Sequence, residues 1–107
     1  MPYNTALDDR VFDSIADWGV DGRKMFGGTC YLLNGNMLCG VYKDFLILRL
    51  GEEEGEKALD EPFTSPFDIT GRPMKGWVMV DERGCQGDDL LRWLQSARAF
   101  VETLPAK

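Results

Sequence analysis

The sequence predicts an α+β fold of two layers, an antiparallel sheet packed by N-terminal and C-terminal helices. Apolar residues repeat at helical spacing near both ends of the chain. Between them, Asn34-Gly35 separates two apolar runs, and Lys43-Asp44 leads into a third, which describes a three-stranded meander. One or two further strands are expected after the meander. All 107 residues are expected to form one domain, since the chain is too short for two of ordinary size.

The first helix is expected over residues 4–19. Thr5 followed by Asp8 resembles a capping box with a short acid. Leu7, Val11, Ile15 and Trp18 form its apolar stripe, widened by Phe12 and Ala16, and Gly19 is a natural stop. Residues 25–33 and 37–42 then read as strands. The Asn34-Gly35 turn between them suits a hairpin because both central residues must take positive φ. Phe45 to Leu50 is the third strand, and the acidic stretch 51–60 is a short solvated helix or turn. Pro62, Pro66 and Pro73 make residues 61–76 irregular, with at most a short strand near 67–69. Residues 76–80 alternate as a strand, Trp77 and Met79 on one face and Val78 and Val80 on the other. The last helix starts at Asp88, whose carboxylate is placed to cap it, and runs along Leu90, Leu94, Ala97, Val101 and Leu104 until Pro105.

Charge and composition narrow the function. The formal net charge is −6. That balance repels phosphate backbones and anionic membranes, so direct nucleic-acid binding by the whole surface is disfavoured. The start, Met1-Pro2-Tyr3-Asn4, lacks the basic and apolar regions of a signal peptide, and three cysteines is an odd number. A reducing cytosol is the expected location. With no histidine, serine–histidine and cysteine–histidine nucleophilic pairs are excluded. Cys30, Cys39 and Cys85 lack the CxxC spacing of a structural zinc site, so no metal and no cofactor are expected.

Three constellations remain as candidates. Counting outward from Asn34-Gly35 in a two-residue hairpin sets Cys30 opposite Cys39, a conceivable redox pair, against the commoner fate of buried small hydrophobes. Phe26-Gly27-Gly28-Thr29 lacks the Walker pattern and reads instead as a bulge or a close backbone approach. Arg23-Lys24 and Arg72/Lys75 flank expected strands, and together they would form an anion patch for a small anionic ligand or nucleic acid. The acidic runs, such as Glu52-Glu53-Glu54, read as solvated surface.

Several short motifs then carry a resemblance. Arg23-Lys24-Met25-Phe26-Gly27-Gly28, the Asn34-Gly35 turn, Phe45-Leu46-Ile47-Leu48-Arg49, Glu61-Pro62-Phe63, Pro73-Met74-Lys75-Gly76-Trp77 and Leu90-Leu91-Arg92-Trp93 follow in order. Over about residues 5–104 the chain resembles the N-terminal domain of the TfoX/Sxy family, proteins associated with regulating bacterial competence genes. The resemblance implies a two-layer α+β fold and brings no catalytic residues with it. It suggests a non-enzymatic regulatory module that acts through protein contacts, with transcription machinery as partner and a homodimer possible. Met25, Phe26, Gly27, Gly28, Trp77 and Trp93 are the candidate contact residues.

Overall fold

The computed structural model describes residues 3–25, 27–68 and 71–106, the side chain of Met25 excepted. Helix α1, Thr5–Ile15, buries Leu7, Val11 and Ile15. Its cap is Asn4 rather than Thr5: Asn4 Oδ1 accepts from Leu7 N at 2.9 Å, which satisfies one of the free N–H groups of the first turn. A short 3₁₀ turn, Ala16–Trp18, ends at Gly19 in the left-handed region, φ 74°.

Six strands follow: β1 Asp21–Met25, β2 Gly28–Leu33, β3 Asn36–Tyr42, β4 Phe45–Arg49, β5 Thr64–Pro66 and β6 Trp77–Asp81. They form one antiparallel sheet in the order β1-β2-β3-β4-β6-β5. Helix α2, Glu52–Ala58, fills part of the connection from β4 to β5, and α3, Asp89–Val101, closes the chain. The meander forms as expected: Asn34 and Gly35 take φ 55° and 82°, and Leu33 faces Asn36 across the turn.

Elsewhere the expectations need correction. The run 25–33 is two elements, because Gly27, φ 75°, turns the chain between β1 and β2. Strand β1 is solvent-exposed from Asp21 to Lys24, so no apolar alternation announces it. The short strand lies at 64–66 rather than 67–69, part of which falls outside the described residues. Asp88 makes no side-chain capping bond to α3, and the helix stops at Val101, three residues before Leu104.

The core lies between one face of the sheet and the helices. Leu7, Val11 and Ile15 of α1 and Trp93, Leu94 and Ala97 of α3 pack on Val41, Leu46, Leu48 and Val80. A β-bulge shapes this layer. Leu32 pairs with Met37 but Tyr31 pairs with Cys39, so Leu38 is the extra residue. Both Leu38 and Cys39 are thereby turned into the core, which strict alternation would forbid. Polar contacts fix the ends: Asn36, buried at 3% exposure, donates from Nδ2 to the Pro105 carbonyl at 2.9 Å.

Candidate functional site

Alternation assigns the other face of the sheet. Tyr31, Leu33, Val41, Leu46, Leu48, Val78 and Val80 belong to the helix-side core, so their neighbours along each strand point away from it. Those neighbours are Cys30 and Leu32 on β2, Tyr42 on β3, Phe45, Ile47 and Arg49 on β4, and Trp77 and Met79 on β6. Cys30, Ile47 and Met79 are buried yet lie outside the main core cluster. They line up across the sheet, Cys30 beside Gly40, Gly40 beside Ile47, and Ile47 beside Met79. The Met37 Cε atom reaches over Gly40, to within 3.3 Å of where a Cβ would stand.

Among the described residues this face carries no helix, and its middle is apolar. Around its buried middle row, Leu32, Met37, Tyr42, Phe45 and Trp77 are half-buried. An antiparallel sheet with one wet face ordinarily alternates apolar and polar residues. Strands such as Phe45-Leu46-Ile47-Leu48 and Trp77-Val78-Met79-Val80 read instead like strands covered on both sides. At one corner two aromatic side chains and a guanidinium are organised together. Phe67 stacks on Trp77 with ring centroids 5.6 Å apart. The Arg49 guanidinium lies over the Trp77 ring at 5.2 Å.

The residues singled out from the sequence fall in several places. Trp77 stands on the open face. Trp93 does not: it is 3% exposed, in the core, and donates from Nε1 to the Gly84 carbonyl at 3.2 Å. As a core residue it leaves the contact set. Gly28 is buried where β2 presses on β3, and a Cβ there would collide with the Val41 carbonyl oxygen. Gly27 occupies the exposed turn, Met25 is placed by its backbone at the end of β1, and Phe26 lies outside the described residues.

The two basic pairs are not brought together. Arg23 and Lys24 sit on β1, at one edge of the sheet, with Arg23 bonded to Asp21 at 3.1 Å. Arg72 and Lys75 belong to the connection between β5 and β6 at the opposite edge. The cysteines also part company. The bulge shifts the register, so Cys30 faces Gly40 and Cys39 faces Tyr31. Their side chains therefore leave opposite faces of the sheet, Cys39 into the core. Burial pushes all three thiols above their ordinary value, Cys85 to about 12. Such thiols stay protonated and are poor nucleophiles.

One polar cluster had no signal in the sequence reading. Asp8 Oδ1 accepts from both Thr29 Oγ1 and Tyr31 Oη, each at 2.7 Å, and so ties the first turn of α1 to β2. Burial, then the bond to Asp8, raises the Tyr31 hydroxyl above its ordinary value. The cluster is a clamp between layers. Among the described residues no group of three or more His, Cys, Asp or Glu side chains is placed to hold a metal ion. No helix among them is long and apolar enough to cross a membrane.

No curated protein and no solved structure matches the chain. The model of the TfoX N-terminal domain family does match, over residues 13–101. That span runs from α1 through the whole sheet to the last residue of α3. With most of its length inside the match, the chain belongs to the TfoX N-terminal domain family.

Proposed function

We propose that the chain is a regulatory module that works by docking another protein on the helix-free face of its sheet, rather than by catalysis. The observation that carries this reading is the apolar character of that face. Partly exposed Leu32, Met37, Tyr42, Phe45 and Trp77 surround a buried row on the side of the sheet away from the described helices, with Phe67 of the β5–β6 connection stacked on Trp77. Contiguous apolar surface of this kind is the usual mark of a protein contact. Family membership supports a regulatory role and makes a component of the transcription machinery the first partner to test.

The test compares three tagged proteins in affinity capture from the native host after nuclease treatment. Wild type and Gln95→Lys, altered at an exposed position of α3 on the opposite side, retain the same partner in this reading. Phe45→Lys, which places a charge on the open face, loses it while keeping its fold by circular dichroism. Loss with Gln95→Lys and retention with Phe45→Lys would overturn the reading.

A further inference from the structure

One corner of the open face carries cations with no acid of their own. Arg10, Arg23, Arg83, Arg92 and Arg98 each donate to a carboxylate or carbonyl oxygen. Arg49 and Lys75 form no ion pair among the described residues, although the chain is rich in acids. Both line a shallow cleft of about 120 Å³ with Trp77, Phe100, Gly76, Gly51 and Glu52. The Arg49 guanidinium is held over the Trp77 ring at 5.2 Å, and a guanidinium presents a planar fork of N–H donors. That fork matches the two oxygens of a carboxylate. With Glu52 as the single acid in the lining, the cleft keeps an excess of one positive charge.

We propose that this cleft takes the carboxylate of an acidic segment on the protein that docks over the open face. Arg49 forks to its two oxygens, and Lys75 neutralises it from the loop before β6. The cleft is far below the 300–1,000 Å³ or so of an ordinary small-molecule pocket, so it admits a side-chain carboxylate and not a nucleotide. The inference rests on the docking reading above and specifies the chemistry of the partner at one corner.

The test is an NMR titration of the isotope-labelled chain with a short capped peptide that alternates glutamate and leucine. The expected result is saturable shifts at the Trp77 indole N–H and the Arg49 amide, weakening as salt is added. Lys75→Glu alters an exposed residue with no ion pair, and Arg49→Met keeps the aliphatic stem over Trp77. Each weakens binding about tenfold, or about 1.4 kcal/mol. Equal binding of a lysine–leucine peptide would overturn the proposal, as would peptide-induced shifts confined to α3. So would the same shifts from sodium acetate alone, from a single-stranded oligonucleotide, or from raising the protein concentration without peptide. If Lys75→Glu still captures the cellular partner that Phe45→Lys loses, the acidic-segment proposal fails and the docking face stands.

Discussion

Removing the Asp8 carboxylate should cost far more than a surface acid ordinarily does. In Asp8→Ala, Tyr31 Oη and Thr29 Oγ1 both lose their acceptor at 2.7 Å. Tyr31 is 5% exposed, so water cannot readily replace the lost partner, and an unsatisfied buried hydroxyl costs about 1–3 kcal/mol. Thr29 is half-buried and recovers part of its loss from solvent. The acid also lies in the first turn of α1, where its charge is worth about 0.3–1 kcal/mol. Together these give about 2–4 kcal/mol. Tyr31→Phe removes one bond and leaves the carboxylate to Thr29, at about 1–2 kcal/mol. If the clamp is real, the two changes couple by about 1–2 kcal/mol in a double-mutant cycle. Urea denaturation followed by tryptophan fluorescence measures each value. Additivity within about 0.3–0.5 kcal/mol would show that Asp8 and Tyr31 do not act as a pair.

Alkali offers a second handle. The folded values of Cys39 and Cys85 lie above the ordinary thiol value of 9.0. Their contribution to stability is thus complete below pH 9.0 and is lost as pH rises toward the folded values. Denaturation midpoints under reducing conditions should hold steady below that point. Above it stability falls, each buried thiol adding about 1.4 kcal/mol per pH unit, and Cys85→Ala flattens the slope. A midpoint unchanged well above pH 9.0 would contradict thiol burial. Asn36→Ala should cost about 1–2 kcal/mol and loosen the chain after Val101, because the Pro105 carbonyl loses its donor. Faster proteolysis at the C-terminus is the readout. Gly28→Ala forces β2 from β3 at the Val41 carbonyl and should cost at least about 2 kcal/mol, seen in the same urea experiment.

Where the fold was readable in the sequence, the signal was local. Asn34-Gly35 specifies its own turn, and the stripes of α1 and α3 follow from residues a few positions apart. Strand β1 was hidden because Asp21-Gly22-Arg23-Lys24 pairs on one side only and buries nothing. The Cys30–Cys39 pairing failed for a different reason. Counting from the turn assumes regular register, while the core takes both Leu38 and Cys39 and so inserts a bulge. The candidate face was half-legible. Continuous apolar strands already imply cover on both sides. The Arg49–Trp77 contact, by contrast, depends on β4 pairing with β6 across an intervening helix and strand, which no local pattern reveals. Asp8 reads in the sequence only as the short acid of a capping box on α1, because its partners Thr29 and Tyr31 lie on β2.

The central claim is that the helix-free face is the docking face. Photo-cross-linking in the native host tests it most directly, with a benzophenone side chain placed at Tyr42 or Phe45 and, as control, at Gln95 of α3. The expected result is a discrete cross-linked protein at Tyr42 and Phe45 and none at Gln95. Cross-links at Gln95 with none at the two sheet positions would contradict it.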